Sequence, residues 1–246
     1  MRSDDPWTRL RELTGARIAL GRAGHSLPTR ELLAFQLAHA RARDAVWCEL
    51  EANALAEFQQ IRMKSAARDR HEYLLRPDLG RRLAAGTKIE RGEWDALIVV
   101  ADGLSATAVH RHAAELVREL IERLEGWRIA PICVVEQGRV AIGDDIGERI
   151  GAEMALVLIG ERPGLSSPDS LGAYLTWAPR VGRTDAERNC VSNIKAGTAT
   201  GVRSDGLEPA VAAVRIAQLM EAARQKQLTG INLCVPIPES RVLDDR

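Results

Sequence analysis

The sequence lacks several features that mark common classes of protein. It has only four cysteines in 246 residues, and they are far apart, with no CxxC pair: Cys48, Cys133, Cys190 and Cys234. This spacing argues against a structural zinc site and a thioredoxin-type redox site, which need closely spaced thiols. The opening residues are charged rather than apolar, and no run of 18 apolar residues is present. The sequence therefore predicts a protein of the reducing cytoplasm.

The motifs of several enzyme classes are also missing. There is no GxGxxG or GxxxxGK[ST] string, so dinucleotide or P-loop nucleotide binding has little support, and there is no GxSxG hydrolase motif. His110 and His112 lie two residues apart and do not share a helix face, so they are predicted as surface residues rather than a metal pair. Cys190 has no histidine near it in sequence, and a catalytic thiol is not predicted. No catalytic or metal-binding constellation emerges from the residues alone.

The charges balance over the whole chain but not along it. Lys+Arg and Asp+Glu both number 34, and this zero net charge argues against a free-standing nucleic-acid-binding protein. Residues 1–91 carry 17 basic and 12 acidic side chains, whereas residues 92–246 carry 17 basic and 22 acidic ones. All but four of the basic residues are arginine, which either reflects a GC-rich genome or indicates an arginine-rich interface.

Hydrophobic periodicity divides the chain into two parts with different predicted secondary structure. Residues 1–91 are predicted to be helical and irregular, with a helix of about twenty residues from Thr29, a weaker helical pattern onward to Arg70 and a short strand at 73–75. Beyond residue 92, strands and helices alternate. Strands are predicted at 95–101, 128–135, 139–142, 154–159 and 173–177, and helices after Ser105, from Asp144 to Gly151 and at 208–228. This alternation predicts an α/β fold with a mostly parallel sheet and helices on its faces.

Ligands of such sheets bind at the carboxyl ends of the strands, which singles out the loops 102–105, 136–140 and 160–165. The first loop has a glycine that would let a backbone approach a ligand, and it precedes a helix N-terminus that favours anions. The same residues equally suit a tight turn in which Ser105 caps the helix.

The third loop places a carboxylate and a guanidinium, Glu161 and Arg162, between two glycines and a proline. Glu161 is either an acceptor for the hydroxyls or amides of a ligand, or one half of an ion pair that staples the loop. The carboxylates of Asp144 and Asp145 are explained by the first turn of a helix, where the dipole favours negative charge. Taken alone, these residues fit a binding subunit better than a complete enzyme.

Six strings, in this order, resemble the small (light) subunit of adenosylcobalamin-dependent ethanolamine ammonia-lyase. They span roughly residues 15–232, and their combination is specific although each string alone is weak. The strings are GRAG (21–24), LLRPDLGRRL (74–83), VVADGLSATAV (99–109), GRVAIGDDIGE (138–148), IGERPGL (159–165) and RNCVSNI (188–194).

The resemblance implies a Rossmann-like domain and a role in converting ethanolamine to acetaldehyde and ammonia. In that family a large TIM-barrel subunit holds the substrate, and adenosylcobalamin lies between the two subunits. The family's cofactor contacts correspond to Val140, Glu161 and Cys190 here, and no catalytic residue is expected from this chain. No DxHxxG string is present, which agrees with base-on cobalamin binding as in the resembled family.

The resemblance also suggests a division of the chain. We expect residues 1–91 to dock on the large subunit and residues 92–246 to form the Rossmann-like cobalamin-binding domain. Some family members carry a longer N-terminal extension linked to bacterial microcompartments, and the short segment before Trp7 argues against such encapsulation here. The segment 195–207 is enlarged and glycine-rich, and the tail 233–246 extends past the usual end. The alternative is a non-enzymatic cobalamin- or nucleotide-binding carrier or sensor.

Overall fold

A six-stranded mixed sheet forms the centre of the molecule in a computed structural model, which describes residues 7, 9–12, 14, 16–197 and 206–233. The strands lie in the order β1-β3-β2-β4-β5-β6. The first four in this order run parallel, whereas β5 pairs antiparallel with both β4 and β6. Their bounds are β1 (Gln60–Lys64), β2 (Trp94–Ala101), β3 (Ile132–Glu136), β4 (Ala152–Gly160), β5 (Leu171–Trp177) and β6 (Arg188–Ile194).

Helices cover both faces of this sheet. The described helices are α1 (Thr29–Trp47), α2 (Arg70–Leu75), α3 (Ala106–Ala108), α4 (Ala114–Arg123), α5 (Ile142–Ile150) and α6 (Pro209–Lys226). Of these, α4 and α6 pack on one face of the sheet and α5 on the other. A π-helical turn (Val109–Ala113) joins α3 to α4, so that these segments form one continuous helix. Short 3-10 turns lie at Arg9–Glu12, Leu79–Arg81, Asp185–Glu187 and Gly230–Asn232. No helix in the described ranges has the length and hydropathy needed to cross a membrane.

The central strands are buried on both sides because each face of the sheet carries its own core. Ile98 and Val100 of β2 pack with α4 and α6, whereas Leu97 and Val99 of the same strand pack with α5. Strands that are buried on both faces show a continuous apolar run rather than alternation, which explains the sequence of β2 and β4. The predicted α/β class with flanking helices is therefore confirmed.

Local signals place several helix ends correctly. The Ser105 hydroxyl accepts a hydrogen bond from the Ala108 N–H at 3.3 Å and so caps the helix that follows β2. Gly151 ends α5 with φ of +83°, a left-handed conformation that glycine adopts without steric cost. The predicted strands at 95–101, 154–159 and 173–177 and the helix at 208–228 are also confirmed.

Four local predictions are wrong. The helix of about twenty residues from Thr29 is confirmed and ends at Trp47, but the predicted helical continuation to Arg70 is wrong, since residues 60–64 form β1. Residues 73–75 belong to α2 rather than to a strand, and residues 139–142 form a turn that leads into α5. Residues 188–194, for which the sequence predicts no strand, form β6. β1 and β6 are strands because a neighbouring strand supplies their hydrogen bonds. Their sequences are short, polar and weakly patterned, so they do not predict this pairing.

The sheet departs from an all-parallel arrangement at β5. This strand runs opposite to both of its neighbours, β4 and β6, so the sheet is mixed. Strand β1 comes from residues 1–91 and pairs with β3, so that part of the chain contributes to the same sheet as residues 92–246.

A buried ion pair fastens the edge strand β6 to the rest of the molecule. Arg188 donates from Nη1 to Asp144 Oδ1 at 2.8 Å and from Nη2 to Asp144 Oδ2 at 2.6 Å. Nη1 also donates to the Thr176 hydroxyl of β5 at 2.7 Å, and both charged side chains are at most 3% exposed. This bidentate contact joins β6, β5 and α5, so Asp144 has a partner beyond the helix dipole.

Removing one partner of this pair should destabilise the fold. Arg188→Met leaves the Asp144 carboxylate buried without a counter-charge, and we expect the free energy of unfolding to fall by about 3–5 kcal/mol. The double variant Arg188→Met/Asp144→Leu should recover much of this loss because no unpaired charge remains. Urea denaturation measures both changes.

The pair of Arg68 and Glu72, whose guanidinium is exposed, provides the control. Arg68 is 82% exposed, and Arg68→Met should leave the free energy of unfolding close to the wild-type value because water screens an exposed ion pair. Equal urea midpoints for the Arg188 and Arg68 variants would show that β6 is not held in this way.

Candidate functional site

The turn between β2 and α3 braces the two other loops at the carboxyl ends of the parallel strands. Asp102 Oδ1 accepts a hydrogen bond from the Gly138 N–H at 3.1 Å, and the Leu104 N–H donates to the Gly160 carbonyl at 2.9 Å. The three loops singled out by the sequence therefore lie side by side. The loop 102–105 occupies the middle position.

This turn is packed rather than open. A Cβ at Gly103 would collide with the Gly160 carbonyl oxygen, and a Cβ at Gly160 would collide with the Ser105 carbonyl oxygen. The Ser105 hydroxyl in turn donates to the Pro168 carbonyl at 2.9 Å. The glycines thus allow two loops to interlock, which supports the structural interpretation of 102–105 over an anion cradle.

Asp102 itself is a buried carboxylate with a buried cationic partner. Its Oδ2 accepts from Arg70 Nη1 at 3.2 Å. Burial raises the pKa of Asp102 to about 6, and the charge of Arg70 with the backbone N–H groups of Gln137, Gly138 and Gly103 limits that rise. The loops therefore meet around one charged group whose ionisation depends on Arg70.

Glu161 extends the antiparallel pairing just beyond β4. Its N–H donates to the Ser170 carbonyl at 3.0 Å, and its Oε2 accepts from the Asn193 N–H at 3.2 Å. Its Oε1 lies over Gly172, since a Cβ there would be only 2.9 Å away. Within the described ranges the carboxylate forms no ion pair with Arg162, so the staple interpretation of this loop finds no support.

Cys190 lies on β6 directly opposite Tyr174 of β5. The residue is exposed at the sheet edge, yet neighbouring atoms remove part of the water around the thiol. This desolvation, together with the nearby charge of Glu161, raises the pKa of Cys190, although Tyr174 opposes the rise. A thiol with a raised pKa stays protonated at neutral pH and is a poor nucleophile.

Val140 lies in the turn that leads into α5. It is half-buried, and its carbonyl accepts from the Gly143 N–H at 3.1 Å as the helix begins. Val140 and Tyr174 both pack against the core on the α5 face of the sheet. Because directly paired residues in antiparallel strands point to the same side, Cys190 faces that side with Tyr174.

The three predicted site residues therefore share one face of the sheet. Glu161 lies near enough to Cys190 for its charge to act on the thiol, whereas Val140 follows β3, which β2 and β4 separate from β5. The β5–β6 part of this face is open, since Cys190 and Ser192 are exposed and Tyr174 is half-buried. We call this open surface the shelf. The carboxylate of Glu161, the phenol of Tyr174 and the thiol of Cys190 lie along its edge.

Sequence reasoning missed the segment 65–84, which covers the Val140 loop. Tyr73 donates its hydroxyl to the Gly138 carbonyl at 3.0 Å, and the Arg139 N–H donates to the Gly80 carbonyl at 2.7 Å. The guanidinium of Arg139 stacks on the Tyr73 ring at 4.2 Å from its centre. Part of this segment was visible in the sequence as the string at 74–83, but nothing in the string indicates which loop it covers.

The prediction that both histidines after Ser105 are surface residues is wrong for His112. This side chain is buried in the π-helical turn, where its Nδ1 accepts from the Ala196 N–H at 3.4 Å. Its Nε2 lies 3.7 Å from Asp169 Oδ2. His112 lies three residues after Val109 and four before Leu116, both core residues, so the helical stripe already includes its position and the polarity of histidine was the misleading signal.

The whole chain is similar to one group of characterised proteins. A family model described as ethanolamine ammonia-lyase light chain (EutC) matches residues 4–234. The ethanolamine ammonia-lyase small subunit of Azotobacter vinelandii is 55% identical over 94% of this chain and 88% of its own length. Those of Ralstonia nicotianae and Pseudomonas aeruginosa are 53% and 52% identical over the same shares. The chain therefore belongs to the family of ethanolamine ammonia-lyase light chains, the small subunits of an enzyme complex.

Proposed function

We propose that this chain helps to bind adenosylcobalamin at an interface with the large subunit of ethanolamine ammonia-lyase. The complex would convert ethanolamine to acetaldehyde and ammonia in the cytoplasm. The observation that carries the proposal is the family match over residues 4–234, which includes all three candidate cofactor contacts. In this proposal residues 92–246 are the Rossmann-like cofactor domain and residues 1–91 are the docking element.

The shelf on the α5 face has the chemistry that a corrin needs. A corrin is broad and carries amide side arms, which donate hydrogen bonds to carboxylates. Glu161 Oε1 is an acceptor with no hydrogen-bond partner among the described residues, and the missing Cβ of Gly172 lets this carboxylate lie close over β5. Val140 offers apolar contact and Cys190 a small, uncharged side chain.

Adenosylcobalamin supplies the radical chemistry when it is bound, and the protein supplies binding and orientation. In this chain Glu161 would accept from an amide or ribose hydroxyl, with its other oxygen held by the Asn193 N–H. Val140, Glu161 and Cys190 would hold the cofactor in its base-on form, and no histidine of this chain is assigned a role at the cofactor. The protonated thiol of Cys190 would act as a contact, and the ethanolamine would be held by the large subunit.

Helix α1 supports the need for a partner. Among its 19 residues Ala45 alone is buried, while Leu33 is 58% and Leu37 52% exposed. Phe35 and Trp47 are exposed as well. An apolar helix surface of this kind is typical of a protein–protein interface, and it lies in the part of the chain with excess positive charge.

Reconstitution tests the proposed activity directly. We expect this chain mixed with the large subunit and adenosylcobalamin to deaminate ethanolamine, and neither chain to do so alone. The measurement is acetaldehyde formation together with a titration of cofactor binding. Tight cobalamin binding by this chain alone, without activity in the mixture, would instead support the carrier or sensor alternative.

Replacing the carboxylate on the shelf should weaken cofactor binding. In the reconstituted complex Glu161→Ala loses a hydrogen-bond acceptor, and we expect the Kd of adenosylcobalamin to rise about tenfold, with Glu161→Gln between this variant and wild type. Glu122→Ala, an exposed position on α4 on the other side of the sheet, is the control and should bind as wild type does. An unchanged Kd in Glu161→Ala would remove Glu161 from the site.

Charged substitutions on α1 should weaken assembly. Leu33→Glu/Leu37→Glu places two carboxylates in the proposed apolar interface, and we expect the Kd between the subunits to rise at least about tenfold. Ile231→Glu, at a side chain that is 78% exposed near the other end of the chain, is the control. Analytical ultracentrifugation measures both. Point variants are preferable to a deletion of residues 1–60 because Leu50 and Leu55 belong to the core.

A further inference from the structure

We propose that Arg70 is a positioning residue that joins the end of α1 to the loop bearing Val140 and so sets the geometry of the cofactor shelf. This inference rests on the proposed cofactor-binding function and adds a residue that the family resemblance did not supply. It is carried by a continuous set of hydrogen bonds between buried groups.

Arg70 contacts two separate parts of the chain with one guanidinium. Its Nε donates to the Val46 carbonyl in the last turn of α1 at 2.8 Å. Its Nη1 donates to the Gly103 carbonyl at 2.8 Å and to Asp102 Oδ2 at 3.2 Å. The side chain is 9% exposed, so these contacts are shielded from water. A planar guanidinium holds its donors in fixed directions, and the positions of α1 and the β2–α3 turn are therefore linked.

The link continues from Asp102 to the Val140 loop. Asp102 Oδ1 accepts from the Gly138 N–H at 3.1 Å, and the Tyr73 hydroxyl donates to the Gly138 carbonyl at 3.0 Å. The Arg70 guanidinium lies over the Tyr73 ring, 4.8 Å from its centre. Both backbone groups of Gly138, two residues before Val140, are thus held by side chains that contact Arg70.

The charge of Arg70 is needed as well as its shape. Burial favours the protonated form of Asp102, and Arg70 opposes that shift. A lysine at position 70 would keep the positive charge. Its single ammonium group, however, cannot reach the Val46 carbonyl of α1 together with the Gly103 carbonyl and Asp102 Oδ2 of the β2–α3 turn, as the planar guanidinium does. The substitution Arg70→Lys therefore separates geometry from charge.

The experiment uses the complete complex with the large subunit. We expect Arg70→Lys to assemble with the large subunit and to bind adenosylcobalamin about tenfold more weakly than wild type. The kcat at saturating cofactor should stay within about twofold of the wild-type value, since Arg70 contacts no reacting atom. Arg68→Lys, on an exposed neighbouring arginine, should match wild type in all these measurements. The thermal midpoint of each complex is recorded so that binding is compared well below unfolding.

A merely structural role would lower the thermal midpoint and leave the cofactor Kd unchanged, and this result would overturn the inference. If Arg70→Lys does not fold, Tyr73→Phe provides the second variant because it removes only the hydroxyl donor to Gly138. It should weaken cofactor binding several-fold, and an unchanged Kd would again overturn the inference. A wild-type complex that fails to bind adenosylcobalamin would overturn the proposed function itself, and with it this role of Arg70.

Discussion

The buried carboxylate of Asp102 is the group on which the arrangement of the loops depends. One oxygen holds the backbone of Gly138 and the other is paired with Arg70, while the following residues interlock with Gly160. A carboxylate is costly to bury unless its lone pairs are satisfied, so its partners must occupy defined positions. Because these partners come from different loops, the ends of three strands are held together as one surface. The positions of the candidate cofactor residues depend on that surface.

The two halves of the sheet differ in how fully helices cover them. The parallel strands β2, β3 and β4 are buried on both faces, with α4 and α6 on one side and α5 on the other. Strands β5 and β6 extend this sheet without a full covering on the α5 face. That open face therefore adjoins a well-packed sheet, and β6 is kept in place by the pair of Arg188 and Asp144.

Much of the core region was predictable from the sequence, whereas the surroundings of the site were not. The apolar runs of β2 and β4 and the stripe of α4 reflect burial on a large core, which periodicity reports directly. The edge strands β1 and β6 carry no such signal because both are short, polar and only partly buried, although β6 pairs with the strand just before it in sequence. The roles of Arg70 and Tyr73 were equally hidden, since each acts through a backbone group that is more than 30 residues distant.

The α/β class, most of the core elements and, through six strings of residues, the family and three candidate contacts can be read from the residues alone. These features depend on local hydrophobic patterns and on residue identity, which the chain carries without folding. Three other features appear only in the folded molecule: β5 runs antiparallel to β4 and β6, Asp144 pairs with Arg188, and Glu161 faces an open shelf instead of Arg162. Each of these depends on groups brought together from distant positions, where the contact that satisfies a buried charge or an unpaired strand edge exists only after folding.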